Sequence, residues 1–137
     1  MQGEKNHPTN RTRKMAPRVF IARHGETEWS LNGRHTGTTD LALTANGKKR
    51  MQKTGEAMVG EDRLICPDLL LQVYCSPRKR AMQTLELLGL PKQVPAEVMD
   101  SLSEWDYGKY EGLKTAEIKQ RAGEDWDMWK DGCEGGE

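Results

Sequence analysis

A short apolar run that breaks directly into Arg23-His24-Gly25 constrains the fold of this chain more than any other feature. The run, Val19-Phe20-Ile21-Ala22, is β-prone and too short for a helix, so it predicts a buried strand. In open α/β sheets, ligands bind outside the carboxyl ends of the strands. A histidine beside an arginine at such a strand end is therefore a candidate nucleophile for phosphate chemistry.

Two later segments have the same layout. The apolar run over 69–75 breaks into Ser76-Pro77-Arg78-Lys79-Arg80, and the run over 98–102 breaks into Ser103-Glu104-Trp105. If the strands are parallel, their carboxyl ends meet at one rim of the sheet. That rim would carry arginines for a phosphate, a histidine nucleophile and a carboxylic acid for the leaving group.

The residue types at these strand ends suit phosphoryl transfer. An arginine offers a planar fork of donors that matches phosphate oxygens. A neutral imidazole can attack phosphorus with one ring nitrogen if the other donates to a carbonyl. Gly25 has no Cβ and would let the backbone approach a ligand closely. The aromatic residues beside Glu104 are expected to desolvate that carboxyl in part, as suits a general acid.

Four motifs resemble those of the histidine phosphatase superfamily, the phosphoglycerate mutase-like proteins. Residues 23–27, Arg-His-Gly-Glu-Thr, are similar to its signature, and Thr36-Gly37 resembles its substrate loop. Residues 76–81 resemble its second arginine motif, and residues 102–108 resemble its proton-donor motif. An Arg-His-Gly triplet alone is weak evidence, whereas four motifs in the family's order are specific. The sequence is most similar in texture to fungal sedoheptulose-1,7-bisphosphatase-like members.

The resemblance implies an α/β fold, a three-layer sandwich of the phosphoglycerate mutase-like type. It implies that His24 attacks a phosphomonoester while Arg23 and Arg80 hold the phosphoryl oxygens, with Glu104 as acid and then as base. The ligand would be a small phosphorylated sugar, with no cofactor and no metal. Residues expected to contact this substrate come from the substrate loop and the donor motif: His35, Thr36, Gly37, Trp105, Asp106 and Tyr107.

The family pattern also includes a second catalytic histidine, in a later His-Gly motif. Of the three histidines here, neither His7 nor His35 follows an apolar strand or precedes a glycine. The chain is therefore expected to be truncated to the N-terminal half of its domain, as a truncated gene product, a splice form or a partial gene model. On that expectation it is poorly folded and inactive by itself, with at most phosphate binding. A mutase is disfavoured by Trp105-Asp106 and Thr115.

Composition fits one domain of 137 residues with a formal net charge of zero. That balance gives no bulk attraction to nucleic acid or membranes, and no apolar run approaches a membrane span. We expect a cytoplasmic protein, with an additional nuclear location and the oligomeric state left open. Residues 1–17 are expected to be a disordered basic extension, with Met15 as an alternative start, and residues 18–137 form the domain portion.

Helices are predicted from capping and periodicity. Thr44 is a candidate N-cap for a helix with an apolar face. The segment after Pro77 predicts a second helix that Gly89 ends. Thr115 is a candidate N-cap for a third helix that Gly123 ends, and Trp126 and Trp129 are placed on a short fourth helix. The expected apolar faces are Met51, Gly55, Met58 and Val59 on the first helix and Ala81, Leu85 and Leu88 on the second.

Each candidate also has a plainer interpretation. His24 could be a satisfied polar residue at a strand end, Arg80 a surface charge like Arg78 and Lys79, and Glu104 a solvated acid. Thr36-Gly37 could be a simple turn, and Glu111 is interpreted as structural. The tryptophans are interpreted mainly as packing residues. The three widely spaced cysteines, Cys66, Cys75 and Cys133, are interpreted as structural thiols.

Overall fold

The computed structural model of the protein describes residues 17–137. The predicted extension, including His7 and Met15, lies outside the described residues except for its last position, and it stays a prediction. Two helices come first, two strands separated by a helix follow, and two helices come last. In chain order they are α1 Glu28–Asn32, α2 Ala45–Met58, β1 Val73–Cys75, α3 Lys79–Leu87, β2 Ala96–Val98, α4 Thr115–Ala122 and α5 Met128–Asp131.

The two strands pair in parallel, with Val73 opposite Ala96 and Cys75 opposite Val98. Helix α3 makes the crossover between them, as a parallel pair requires. The parallel arrangement is thus confirmed for two of the three predicted strands. Their bounds differ from prediction because 3-10 turns replace part of each run, at Pro67–Leu69 and at Asp100–Leu102.

The predicted buried strand over 19–22 is wrong for the described structure. This segment has no regular secondary structure, and Val19 and Ile21 are 82% and 94% exposed. A strand is stable when a neighbouring strand satisfies its backbone groups and a packed face covers its side chains. No strand among residues 17–137 lies beside it, since the only sheet they form joins β1 to β2.

Helices α2 and α3 pack against each other. Thr44 caps α2 by accepting a hydrogen bond from the amide of Gly47, which confirms the predicted start. The closest approach is at Gly55, where an added Cβ would lie 2.5 Å from the carbonyl oxygen of Leu88. The predicted apolar face is only partly right: Met58 is 41% exposed, and the small residue at 55 makes the contact.

The buried face of α3 is polar. Arg80 and Thr84, one helical turn apart, are the buried residues of this helix, whereas the predicted face of Ala81, Leu85 and Leu88 is only half-buried. The helix starts at Lys79, two residues after Pro77, as the sequence predicted. Two hydrogen-bonding side chains are therefore directed inward, toward the segment that carries His24.

The best-packed cluster lies in the last part of the chain. Ile118 of α4 is fully buried, and the residues buried around it form what we call the aromatic core: Tyr107, Tyr110, Trp126 and Cys133. Helix α4 begins at Thr115, so the predicted cap at Thr115 is one residue off: its N-cap is Lys114. Trp126 precedes α5 instead of lying on it, because Asp127 caps that helix. None of the helices over 17–137 has the length and apolar character to cross a membrane.

Candidate active site

His24 is half-buried and held by its own backbone. Its Nδ1 lies 2.8 Å from the carbonyl oxygen of Gly25. A carbonyl can only accept, so Nδ1 donates and Nε2 carries the lone pair. Burial lowers the pKa of His24, and the charges of Arg80 and Arg23 lower it further, while the Gly25 carbonyl and Glu104 act in the opposite direction. The ring is therefore neutral at neutral pH, as a nucleophile requires.

The backbone beside His24 is fixed by α3. The amide of Gly25 donates to Oγ1 of Thr84 over 2.9 Å, and this hydroxyl donates to the carbonyl of Arg80 over 2.8 Å. An added Cβ at Gly25 would lie 2.6 Å from Cγ of Met51. The glycine therefore makes room for packing by α2, whereas the sequence suggested room for a ligand.

Arg80 is only 2% exposed, and part of its guanidinium binds the loop over residues 36–39. Its Nη1 donates to the carbonyl of Thr39 over 3.0 Å, and its Nη2 donates to the carbonyls of Thr36 and Gly37 over 3.2 and 3.1 Å. Burial lowers the pKa of Arg80, and nearby Glu104 acts in the opposite direction. A guanidinium has five N–H groups, so two donors remain for a ligand.

The amides of the predicted substrate loop meet a protein carboxylate. The amide of Gly37 lies 3.0 Å from each carboxylate oxygen of Glu111, and the amide of Thr39 lies 3.0 Å from Oε1. Because Glu111 takes the Gly37 and Thr39 amides, any substrate contact of Thr36 and Gly37 must use other atoms.

Glu104 and Arg23 are exposed. The desolvation expected for Glu104 from its aromatic neighbours is therefore not provided by residues 17–137. Both side chains still belong to the environment of His24, because their charges act on its pKa. They also act on buried Tyr107, whose pKa is raised chiefly by burial and next by the charge of Glu104.

His35 lies with the aromatic core. Its ring centroid is 4.8 Å from that of Tyr107, and its Nε2 is 3.1 Å from Oγ1 of Thr115. Burial lowers its pKa, and the charge opposing that shift is Glu111. His35 thus packs beside the site. Tyr107 is the residue of the aromatic core whose pKa the charge of Glu104 raises.

Trp105 and Asp106 connect the donor motif to its surroundings. The indole Nε1 of Trp105 is buried without a hydrogen-bond partner among residues 17–137, and its ring meets Trp129 edge-on at 5.7 Å. Asp106 accepts from the amide of Gly108 at 2.9 Å and receives the amide of Glu137 on its carbonyl. Trp105 thus carries an unpaired buried donor in the described structure, whereas Asp106 is occupied in local structure.

Three residues that matter here were not singled out as site residues from the sequence. Thr84 and Glu111 hold the backbone around the site, and Arg78 was interpreted as a surface charge. Arg78 is half-buried, and its Nε has no acceptor among residues 17–137. The available signal for Glu111 was its position three residues after the proton-donor motif over 102–108. The only signal for Thr84 was its one-turn spacing from Arg80.

The described residues bring His24, Arg23, Arg80 and Glu104 into one electrostatic environment. A neutral imidazole with a free Nε2, a buried guanidinium with spare donors and an exposed carboxyl group can together support nucleophilic attack on a phosphomonoester. A cavity of about 350 Å³ borders His24, with Arg23, Ser30 and Arg50 in its wall. Within residues 17–137, no three His, Cys, Asp or Glu side chains cluster as a metal site would need.

Comparison with known proteins assigns the family. Residues 19–137 match the family described as the histidine phosphatase superfamily (branch 1). The chain is 42% identical to sedoheptulose 1,7-bisphosphatase of Saccharomyces cerevisiae over 90% of its own length and 50% of that protein. It is 44% identical to an acid phosphatase of Mycobacterium tuberculosis, over 88% of this chain and 55% of that one.

A solved structure agrees with this assignment. The structure of an open reading frame of Mycobacterium tuberculosis superposes with a TM-score of 0.67 at 43% identity, over 83% of this chain and 54% of that one. This confirms the α/β fold of the phosphoglycerate mutase-like type. The chain spans about half the length of the curated relatives it matches. With the family model covering nearly all of the described residues, the chain belongs to the histidine phosphatase superfamily, branch 1.

Proposed function

We propose that this chain carries the nucleophile-bearing part of a phosphatase that hydrolyses a small sugar bisphosphate, such as sedoheptulose 1,7-bisphosphate, through a phosphohistidine on His24. The observation that carries the proposal is the Nδ1 contact with the Gly25 carbonyl, which leaves Nε2 free to attack. The substrate class is suggested by the similarity to the yeast sugar bisphosphatase. A cytoplasmic location is part of the same proposal.

In the first step, Nε2 of His24 bonds to phosphorus as the bond to the leaving sugar oxygen breaks. Glu104 gives its proton to that oxygen, so the sugar departs as an alcohol. Arg80 and Arg23 neutralise the charge on the phosphoryl oxygens, which is the main contribution of protein groups in such transfers.

In the second step, water attacks the phosphohistidine. The carboxylate of Glu104, now deprotonated, takes a proton from the water as the phosphorus–nitrogen bond breaks. Inorganic phosphate leaves, and both His24 and Glu104 return to their starting protonation states. Each proton given up in the first step is thus recovered in the second.

A second proposal is that the 137-residue chain alone binds phosphate but does not turn over. The exposed position of Glu104 and the exposed, irregular segment over 19–22 favour it, since electrostatic catalysis needs groups held rigidly in place. Neither His7 nor His35 matches the second histidine that the family resemblance implies. A phosphoglycerate mutase remains disfavoured by Trp105-Asp106 and Thr115.

Base-stable labelling tests both proposals. The chain is incubated with sedoheptulose 1,7-bisphosphate labelled in its phosphate groups and quenched in alkali, where phosphohistidine survives. The same measurement is made on a chimera that adds the second half of the yeast relative. We expect label on the chimera and little on the chain alone, with His24→Ala abolishing it and His7→Ala leaving it. Label that persists in His24→Ala contradicts the nucleophile assignment.

Two further controls define the chemistry and the substrate. Excess chelator is expected to leave hydrolysis by the chimera unchanged, and activity restored by Mg²⁺ after chelation would contradict a metal-independent mechanism. A simple aryl phosphate is compared with the sugar bisphosphate, because both an acid phosphatase and a sugar bisphosphatase resemble this chain. Faster turnover of the aryl phosphate would contradict the proposed substrate class.

A further inference from the structure

We infer that Glu111 is a positioning residue for phosphate binding. Its carboxylate fixes the loop over residues 36–39, which we call the clamped loop, and through that loop it fixes the guanidinium of Arg80. This inference rests on the proposed function, since it takes Arg80 to be a phosphate-binding group. It gives a defined task to a carboxylate that lies outside the groups that touch substrate.

The clamped loop is held from two sides by opposite charges. Glu111 accepts from the amides of Gly37 and Thr39, each at 3.0 Å. Arg80 donates to the carbonyls of Thr36, Gly37 and Thr39 at 3.0 to 3.2 Å. The anion therefore meets the donor ends of the loop peptides and the cation meets the acceptor ends. Removing either charge leaves polar backbone groups unpaired in a partly buried place.

Electrostatics couples the two charged groups across the loop. Arg80 is buried, which disfavours its charged form, and the charges of Glu104, Asp40 and Glu111, in that order of size, raise its pKa again. The three loop carbonyls orient the guanidinium. Two of its donors are then pre-set for phosphate oxygens, and charge-assisted hydrogen bonds of this kind are strongly directional.

Glu111 stands on a rigid support. It directly follows the 3-10 turn Gly108–Tyr110, and its amide donates to the carbonyl of Gly108 at 3.2 Å. The preceding residue, Tyr110, is buried in the aromatic core. The carboxylate is thus fixed by the best-packed part of the described chain and transmits that order to the loop.

A rival interpretation is that Glu111 occupies an anion site and competes with substrate for the same amides. The packing around Gly37 argues against it. An added Cβ at this glycine would lie 2.1 Å from the carbonyl oxygen of Trp105 and 3.1 Å from the ring of Tyr107. A phosphate is larger than a carboxylate, so the enclosed amide of Gly37 suits a protein ligand better than a substrate phosphate.

The test compares Glu111→Gln with Glu117→Gln in the full chain. Glu117, on α4, is a matched control because it also accepts a backbone amide hydrogen bond, at 2.7 Å from Lys114, and lies 3.8 Å from an arginine. Inorganic phosphate is titrated and followed by phosphorus NMR, and amide exchange is measured at Gly37 and Thr39. Thermal melts and tryptophan fluorescence report whether each variant keeps its fold.

We expect Glu111→Gln to weaken phosphate binding by about tenfold, the size of a lost charge-assisted hydrogen bond, and to speed exchange of both amides by a similar factor. Glu117→Gln should stay within about twofold of the parent for both quantities. Unchanged exchange in Glu111→Gln would overturn the inference. Tighter phosphate binding would overturn it too and would support the rival interpretation.

Two further variants keep the test decisive. If Glu111→Gln does not fold, Glu111→Asp keeps the charge and shortens its reach by one methylene; weaker phosphate binding in a folded Asp variant supports the inference, and parental binding overturns it. Arg80→Ala distinguishes a failure of the proposed function from a failure of the role of Glu111. Parental phosphate binding in Arg80→Ala overturns the proposed function. If Arg80→Ala loses phosphate binding while Glu111→Gln binds phosphate as the parent does, only the role of Glu111 is overturned.

Discussion

We compare the aromatic core with the strand region, by which we mean residues 19–24 together with β1, β2 and the run before β1. The two differ in how fully their apolar side chains are buried. In the aromatic core, Ile118 is fully buried and Tyr110 is 8% exposed. In the strand region, Ile21 is 94% exposed and Leu71 is 91% exposed, and β1 and β2 are each three residues long. Large apolar side chains are thus covered in one region and open to solvent in the other.

This difference follows from how far apart along the chain the packing partners lie. The members of the aromatic core lie within residues 107–133, so their contacts close short loops at low entropic cost. A parallel sheet needs distant segments to meet, and most hydrogen bonds of a strand come from its neighbours. The candidate site spans both regions, because His24 comes from the open one and Glu111 from the closed one.

The largest effect should appear at the centre of the aromatic core. Ile118→Ala is expected to lower the free energy of unfolding by about 2–5 kcal/mol, the usual cost of emptying a fully buried aliphatic site. The matched change Ile21→Ala should stay within about 0.5 kcal/mol, because that side chain is already in solvent. Urea denaturation followed by tryptophan fluorescence measures both. Equal effects at the two positions would contradict the comparison.

The sequence predicted local features better than long-range ones. The N-cap at Thr44 and the end of α4 before Gly123 were predicted correctly, because capping depends on a few adjacent residues. The strand over 19–22 was not, because its formation depends on neighbours elsewhere in the chain. The apolar interpretation of α3 failed for a related reason: Arg80 and Thr84 are buried only because distant backbone groups pair with them.

The candidate site shows the same division. The motif order placed His24, Arg23, Arg80 and Glu104 in one predicted site, and in the structure burial and then the charges of Arg80, Arg23 and Glu104 influence the pKa of His24. The role of Glu111 could not be predicted in the same way, since its partner Gly37 lies 74 residues away. Spacing along a chain does not show which carboxylate meets which amide.

A smaller effect is expected where the site joins the two regions. Arg80→Met removes the donor to three loop carbonyls and should lower the free energy of unfolding by about 1–3 kcal/mol, the cost of leaving buried polar groups unsatisfied. Lys79→Met is the control, because the adjacent Lys79 is exposed. It should change stability by less than about 0.5 kcal/mol. An Arg80→Met variant as stable as the control would show that the clamped loop does not depend on this guanidinium.

The contact between α2 and α3 should be the next most sensitive. Gly55→Ala gains about 1 kcal/mol in helix propensity but forces Cβ against the Leu88 carbonyl, at a cost of about 1–3 kcal/mol. We expect a net loss of about 1 kcal/mol. Glu56→Ala, on the exposed side of the same helix, should stay near zero. A more stable Gly55→Ala variant would mean that the two helices lie further apart in solution.

The smallest effect expected is the pH dependence contributed by the two half-buried histidines. Burial lowers the pKa of His24 and of His35 below the ordinary value of 6.5. As the pH falls below 6.5, these histidines bind protons in the unfolded chain but not yet in the folded chain. The free energy of unfolding therefore decreases with falling pH until the lowered pKa of each histidine is reached. Because both rings remain partly exposed, solvent screening keeps each contribution small within that window.

Comparison of His24→Gln and His35→Gln assigns this pH dependence to one region or the other. Each substitution removes one titrating group, so the loss of stability between about pH 7 and pH 5.5 should become shallower, and the double variant should be shallowest. Urea denaturation at several pH values gives the slopes. If only His35→Gln changes the slope, then His24 takes up protons equally in the folded and unfolded chain. The strand region would in that case be more solvated around the candidate nucleophile than the half-buried position of His24 implies.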